Sequence, residues 1–189
     1  MSRHDAIVIG CSAGGLTALQ RLLPGLAPNL TAAVIVCCHT GSADVSLLVE
    51  LLARVSALPV AEALERSHIT PGMVHVAPTG YHLLIEEDHY FSLSVDEKVA
   101  WSRPSIDVLF QTAADAWRER LVAVLLTGAN SDGARGLAAV RRAGGHAVVQ
   151  DPEDAESDIM PRAGLEIAGA DACLPLDAIA AHLNSLCLP

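Results

Sequence analysis

A serine stands where a short apolar run gives way to a helical pattern, in the segment Gly10-Cys11-Ser12-Ala13-Gly14. Gly-x-Ser-x-Gly at a strand-to-helix corner is typical of a nucleophile elbow, because small neighbours permit a tight turn that exposes the serine Oγ. The helix that follows directs free N–H groups and its positive dipole end toward the same place, where an oxyanion would form. The motif therefore predicts nucleophilic catalysis at Ser12.

A histidine and an aspartate follow two other predicted strands. His39 comes directly after the apolar residues 32–38, and Asp132 lies in the loop after the apolar residues 121–126. Ligands of open α/β sheets bind at the carboxyl ends of the strands, so Ser12, His39 and Asp132 are predicted to share one edge as a catalytic triad. Each also has a purely structural interpretation, since Ser12 and Asp132 suit helix caps or turns and a single histidine is often structural.

A phosphate-binding glycine loop is the alternative interpretation of the first corner, because it also joins a strand to a helix. In that motif a second glycine lets the backbone approach the pyrophosphate, but Ser12 occupies its place. The second strand of a dinucleotide fold ends near an acidic residue that binds ribose, whereas here it ends at His39. Both details favour the nucleophile, and no cofactor is expected.

The elements that must position these residues alternate along the chain. Strands are predicted at residues 5–9, 32–38, 59–61, 73–77, 82–85, 90–93, 121–126, 146–150 and 172–174. Helices are predicted at residues 16–23, 46–55, 105–117, 134–143, 161–168 and 176–186. The alternation predicts an α/β fold with a doubly wound, mainly parallel sheet, helices on both faces, and an antiparallel hairpin (82–85 with 90–93) at one edge.

Length and charge exclude several classes of protein. A chain of 189 residues fits one domain, and no apolar run approaches the roughly 20 residues that span a bilayer. The N-terminus enters the first strand without the pattern of a signal peptide, so we expect a cytoplasmic protein with no membrane insertion. The net charge of −10 argues against a nucleic-acid partner.

The cysteines and histidines show no metal-binding spacing. No Cys-x-x-Cys and no His-x-x-x-His motif occurs, so no metal site is predicted. The odd number of cysteines predicts reduced, mostly buried thiols rather than a disulfide framework. They are Cys11, Cys37, Cys38, Cys173 and Cys187.

Five ordered blocks give the chain a family resemblance. They are residues 9–15, the strand that ends in His39, residues 103–110, residues 126–134 and residues 160–163. In these blocks the chain resembles the catalytic domain of the chemotaxis protein-glutamate methylesterases, serine hydrolases that remove methyl esters from glutamates of chemoreceptors and deamidate particular receptor glutamines. The resemblance implies Ser12 as nucleophile, His39 as general base and then acid, and Asp132 as the residue that orients His39. Main-chain N–H groups at Ala13 and near Ala129 would form the oxyanion hole.

Three residues depart from the family pattern near the predicted site. Ala13 stands where the family usually has Thr. The histidine of the family commonly lies in Gln-His-Met-Pro, and Thr40 replaces the Met of that motif. The loop before the aspartate usually contains Thr-Gly-Met-Gly, and Ala129 replaces its Met. These changes alter the shape of the pocket. Two alternatives to the methylesterase therefore remain: a binding or scaffold module of a signalling array with weakened catalysis, and a carboxylesterase for small soluble esters.

The resemblance also implies partners and a domain organisation. The substrates would be the methylated cytoplasmic helices of chemoreceptors. Family members usually carry a receiver domain before the catalytic domain, but this chain begins at the catalytic domain. We therefore expect residues 1–189 to be a single methylesterase-like domain without a receiver, which is either regulated by a separate receiver-domain protein or constitutively open.

Overall fold

A computed structural model describes residues 4–188, and within them the chain forms nine strands and six α-helices. The strands are β1 (Ala6–Cys11), β2 (Ala33–Cys38), β3 (Val60–Glu62), β4 (Val74–Val76), β5 (His82–Ile85), β6 (Phe91–Ser94), β7 (Leu121–Leu125), β8 (His146–Gln150) and β9 (Ala172–Leu174). The helices are α1 (Gly15–Leu22), α2 (Ser46–Ala53), α3 (Ile106–Trp117), α4 (Ala134–Arg142), α5 (Ile159–Ile167) and α6 (Leu176–Cys187).

Seven strands form one parallel sheet in the order β3-β4-β2-β1-β7-β8-β9. Every residue of β1, β2 and β7 is buried, as expected of strands that are apolar on both sides because helices cover both faces of the sheet. Helices α1, α2 and α6 pack on one face, and α3, α4 and α5 pack on the other. The predicted doubly wound architecture is confirmed.

The hairpin of β5 and β6 is antiparallel as predicted, but it is not hydrogen-bonded to the edge of the large sheet. Strands β3 and β9 occupy the two edges instead. The hairpin buries Leu83 and Phe91 in the core layer of α3, and the main-chain N of Ile85 donates to Thr112 Oγ1 of that helix at 3.1 Å. Its apolar face is covered by a helix, so its place in the fold differs from the prediction.

Two boundaries differ from the sequence prediction in ways that matter for the site. Strand β1 continues through Cys11, where the prediction ended it at Ile9. Helix α5 begins at Ile159, two positions before the predicted start. Between residues 4 and 188, none of the helices combines the length and the apolarity needed to cross a bilayer.

The direction in which successive strands are added to the sheet reverses at β1, in the centre of the sheet. From β1 the chain proceeds to β2 on one side, and it returns later to β7 on the other side of β1. The loops that follow β1, β2 and β7 therefore diverge around one crevice at the carboxyl ends of the strands, which is where ligands bind in open α/β sheets.

Candidate active site

The three predicted site residues lie at the carboxyl ends of three neighbouring strands. Ser12 follows β1, His39 follows β2, and Asp132 lies in the loop between β7 and α4. The main chain joins these ends, because His39 N donates to Cys11 O at 3.0 Å and Ser12 N donates to Thr127 O at 2.9 Å. The strand pairing therefore fixes the relative positions of the three loops.

Asp132 and His39 are in direct contact. Asp132 Oδ2 lies 3.0 Å from His39 Nε2, and the two side chains are 0% and 12% exposed respectively. Three groups at the start of α3 also donate to this carboxylate: Ser105 Oγ at 2.8 Å, Ile106 N at 2.7 Å and Asp107 N at 3.0 Å. The positive end of the α3 dipole adds to their effect and stabilises the negative charge of Asp132.

The pKa of Asp132 determines which nitrogen of His39 can act as a base. Burial alone would raise this pKa, but the hydrogen bonds from His39 and from the start of α3 outweigh burial and lower it below the ordinary value. The carboxylate is therefore ionised at neutral pH and only accepts hydrogen bonds, so Nε2 of His39 carries the proton that it donates. The lone pair remains on Nδ1, which is the nitrogen able to take a proton from a nucleophile.

Asp107 completes a reciprocal arrangement that the sequence analysis did not assign to the site. Its Oδ1 accepts hydrogen bonds from Gly133 N at 3.0 Å and Gly136 N at 2.7 Å, at the start of α4. Burial raises the pKa of Asp107, although these two N–H groups oppose that effect. Asp132, just before α4, thus binds the start of α3, while Asp107 of α3 binds the start of α4. The only signal in the sequence was an acidic residue in the first turn of a helix, which the helix dipole alone explains.

Ser102 is a second residue that the sequence analysis missed. Its Oγ lies 3.4 Å from His39 Nδ1, in the loop between β6 and α3. That distance is long for a hydroxyl hydrogen bond, so the contact is weak and can be displaced by another hydroxyl. No motif marked this position, because the contact depends on how the loop folds back over β2.

Ser12 occupies a tight corner. Gly14 adopts a φ of 77°, which favours glycine, and α1 begins with no side-chain cap on its free N–H groups. Thr127 Oγ1 donates to Ala13 O at 2.9 Å and fixes the corner to the end of β7. Among residues 4–188, the hydrogen bonds of the His39 ring go to Asp132 and Ser102 and not to Ser12. The Asp132–His39 half of the triad is formed, and the Ser12–His39 hydrogen bond is not.

Ser12 and His39 nevertheless line the same cavity, which has a volume of about 460 Å³. Leu47 and Leu51 of α2 form an apolar part of its wall, and Glu156 also lines it. A second cavity of about 300 Å³, lined by Trp101 and Ser102, lies on the other side of His39. Catalytic hydrogen bonds are often open in structures without substrate, and Ser12 and His39 both border the first cavity.

Ala13 and Ala129 are the predicted oxyanion donors. Both are exposed, and within the described part of the chain their main-chain N–H groups donate to no protein acceptor. They are not among the residues that line the cavity of Ser12, whereas Gly14 and Gly15 are. The main-chain N–H groups of Ala13 and Ala129 are thus available to an anion.

The next question is whether the described residues could bind a metal ion. Among residues 4–188, no group of three or more His, Cys, Asp or Glu side chains is arranged to hold a metal ion. The side chains at this edge are compatible with acyl transfer, with Asp132 as an orienting carboxylate, His39 as a base and Ser12 as a nucleophile.

Comparisons with known proteins agree with this chemistry. Residues 7–183 match the family model described as CheB methylesterase. A Leptospira interrogans protein with the provisional name protein-glutamate methylesterase/protein-glutamine glutaminase is 46% identical over 177 residues, which cover 94% of this chain and 92% of that protein. A Symbiobacterium thermophilum protein with the same two activities in its name is 38% identical over 92% of this chain but only 48% of its own length. The crystal structure of the Thermotoga maritima CheB methylesterase catalytic domain superposes with a TM-score of 0.93 at 31% identity, covering 98% of this chain and 100% of that domain.

Proposed function

The chain belongs to the CheB methylesterase family, and on that premise we propose that it is a serine hydrolase that removes methyl esters from glutamate side chains of chemoreceptors. We propose residues 1–189 as a single catalytic domain, which is supported by the continuous match of residues 7–183 to one family model. The activity is that of a carboxylic ester hydrolase. The same acyl-enzyme chemistry would serve deamidation of receptor glutamines, with ammonia in place of methanol as the leaving group.

The observation that carries this proposal is the contact between Asp132 and His39. With Nε2 of His39 held at 3.0 Å by an ionised carboxylate, Nδ1 is the nitrogen left to act as a base, and its 3.4 Å contact with Ser102 Oγ is weak enough to be displaced. In the proposed mechanism Nδ1 takes the proton of Ser12 Oγ as the hydroxyl attacks the ester carbonyl. Asp132 then stabilises the imidazolium, and Nδ1 returns the proton to the departing methanol. Water repeats the sequence and releases glutamate.

The negatively charged oxygen of the tetrahedral intermediate needs hydrogen-bond donors that are already in position before the reaction. We propose the main-chain N–H groups of Ala13 and Ala129 for this role, since neither donates to a protein acceptor within residues 4–188. Side-chain identity does not affect a main-chain donor, so the departures from the family pattern at these positions are compatible with catalysis.

The proposed partners are the methylated cytoplasmic helices of chemoreceptors, in line with the protein-directed activities in the names of the relatives. The apolar wall formed by Leu47 and Leu51 suits the methyl ester and the stem of a glutamyl side chain. Regulation by a separate receiver-domain protein stays a prediction, which assays of the chain with and without such a protein would test.

A methanol-release assay on a methylated receptor fragment tests the proposal, with Ser12→Ala as the decisive variant. We expect turnover to fall by roughly 10⁴- to 10⁶-fold, because members of a triad act as a unit. Ser92→Ala, on the remote hairpin, serves as the matched control and should behave as wild type. Wild-type methanol release by the Ser12→Ala protein would refute the assignment.

Labelling with a fluorophosphonate separates the enzyme from a scaffold module, because covalent capture requires an activated hydroxyl. Labelling at Ser12 that His39→Ala abolishes is expected of the hydrolase, whereas a folded but unlabelled wild-type protein indicates the scaffold. Comparable rates on simple methyl esters and on the receptor fragment would favour the small-ester carboxylesterase.

A further inference from the structure

Two thiols lie directly behind the proposed nucleophile and base. Cys11 ends β1 and Cys38 ends β2, and the two residues are partners in the register of these strands. Each comes immediately before a proposed catalytic residue, Ser12 or His39. Both thiols belong to the core layer on the α1 side of the sheet, whereas Cys37 belongs to the opposite layer.

The two sulfur atoms meet beneath the first residue of α1. A Cβ placed on Gly15 would lie 2.7 Å from Cys11 Sγ and 3.3 Å from Cys38 Sγ, so both sulfurs approach the same point beneath the helix. Neighbouring strands lie about 4.8 Å apart, which is within the Cα separation of roughly 4.4–6.8 Å that disulfides adopt. Side-chain rotation with a small shift of the two strand ends can therefore join these sulfurs.

The two thiols differ in access and in acidity. Cys38 lines the cavity that contains Ser12 and His39, and Cys11 does not. The hydrogen bond from Cys11 lowers the pKa of the Cys38 thiol, although burial opposes it. That hydrogen bond, together with burial, raises the pKa of Cys11. The cavity-facing sulfur is thus the more easily ionised of the pair, and the thiolate is the form that reacts with peroxides.

We propose that Cys11 and Cys38 are an oxidation site that takes a small hydroperoxide through the active-site cavity and closes to a disulfide. The Cys38 thiolate attacks the terminal peroxide oxygen and the O–O bond breaks, which gives a sulfenic acid and releases hydroxide, or an alkoxide from an organic peroxide. The sulfur of Cys11 then attacks the sulfur of Cys38, and the sulfenic oxygen leaves as water with the thiol proton. The peroxide is reduced by two electrons, and the dithiol is oxidised to one S–S bond.

Disulfide formation would change the proposed active site. The sulfurs must approach to about 2.0 Å, which moves the ends of β1 and β2 and therefore Ser12 and His39, their next residues. A displacement of about 1 Å in a catalytic constellation costs on the order of 100-fold in rate. We expect the oxidised protein to be about 100-fold less active and a thiol reductant to restore it. This effect on activity rests on the proposed hydrolase function, whereas the disulfide itself does not.

The experiment treats the wild-type chain of 189 residues with hydrogen peroxide, alkylates the remaining thiols, and maps the peptides by mass spectrometry. The expected product loses two hydrogen atoms and contains a Cys11–Cys38 peptide pair that dithiothreitol removes. Cys37→Ala is the matched control, since it is adjacent in sequence but faces the other layer, and it should form the same disulfide. The remote Cys173→Ala should do so as well.

Peroxide treatment that leaves Cys11 and Cys38 both reduced, or that pairs either with another cysteine, overturns the site. A mapped Cys11–Cys38 disulfide with undiminished methanol release overturns the proposed effect on activity. If the reduced protein releases no methanol, the hydrolase proposal fails, but the peptide map still decides whether the thiol pair is an oxidation site.

Discussion

Replacing Asp132 by asparagine tests the geometry of the site most directly, because the two carboxylate oxygens have different donors. Oδ1 accepts from Ser105 Oγ and Asp107 N, and Oδ2 accepts from His39 Nε2 and Ile106 N. An asparagine keeps one oxygen and replaces the other by an NH₂ group, which cannot accept. In either orientation this NH₂ group faces a main-chain N–H that loses its acceptor.

The hydroxyl of Ser105 decides between these orientations. It can rotate and accept a hydrogen bond from the new NH₂ group, whereas at the other oxygen His39 could accept one only by moving its proton from Nε2 to Nδ1. The amide oxygen should therefore remain toward His39 and Ile106, and the NH₂ group should face Ser105. His39 then keeps its proton on Nε2 and its free lone pair on Nδ1, and only the negative charge beside the imidazolium is lost.

The magnitudes follow from this orientation. A hydrogen bond to a charged group contributes about 1.5–3 kcal/mol, against about 1 for a neutral one. Because the amide oxygen keeps a neutral hydrogen bond to His39, the loss in the transition state is the difference, about 0.5–2 kcal/mol, and kcat falls by about 2- to 30-fold. The orphaned N–H of Asp107 should destabilise the fold by about 1–3 kcal/mol. For a chain of this size that lowers Tm by on the order of 2–12 °C.

Methanol release and thermal unfolding of Asp132→Asn measure both effects, and Ser105→Ala with Asp132→Asn is the informative double variant. Without the adaptable hydroxyl the preferred orientation is lost, so the double variant should be slower than the product of the single effects. A fall of 10⁴-fold or more in the single variant, with the fold intact, would contradict this reasoning. It would mean that the NH₂ group faces His39 and reverses the tautomer.

Three further predictions concern the surroundings of the site and the stability of the fold. Asp107→Ala leaves two N–H groups at the start of α4 without their acceptor. Urea denaturation should therefore show that the free energy of unfolding falls by about 2–5 kcal/mol. An unchanged urea midpoint would show that these hydrogen bonds contribute nothing to stability. Ser102→Ala removes only the 3.4 Å contact to His39, so kcat should change by less than about threefold, whereas a 100-fold loss would give Ser102 a direct part in proton transfer. Burial lowers the pKa of His146, and the nearby His182 and His4 lower it further. Asp171 raises this pKa but does not outweigh them. The unfolded chain therefore binds this proton at higher pH than the native protein does, and stability should fall as pH decreases below about 6.5. Urea midpoints between pH 7.5 and 5 should decrease less in His146→Gln than in wild type.

The architecture and the approximate site could be predicted because they depend on local patterns. Uninterrupted apolar runs predicted buried parallel strands, and the position of Ser12, His39 and Asp132 after such runs placed them at one edge of the sheet. The side-chain contact of His39 and Asp132 is consistent with that expectation. The Ser12–His39 hydrogen bond stays a prediction.

The features that were missed depend on how distant segments meet. Asp107 looks like an ordinary first-turn residue until α3 and α4 are packed side by side. The hairpin was predicted at a sheet edge because strand patterns do not reveal that α3 covers its apolar face. The pairing of Cys11 with Cys38 required β1 to continue two residues beyond the predicted end, so that both thiols fall in register.

The reciprocal carboxylates connect catalysis with folding. Asp132 provides acceptors for the start of α3 while it holds His39, and Asp107 provides an acceptor for the start of α4, next to the loop that carries Asp132. Loss of either carboxylate leaves buried N–H groups in the other helix and releases the loop that orients the base, so activity and stability should fall together. Within the described residues 4–188, the hydroxyl of Ser12 belongs to no such network. A Ser12→Ala protein with wild-type stability and no turnover, beside an Asp107→Ala protein that loses both, is therefore the pattern that this architecture requires.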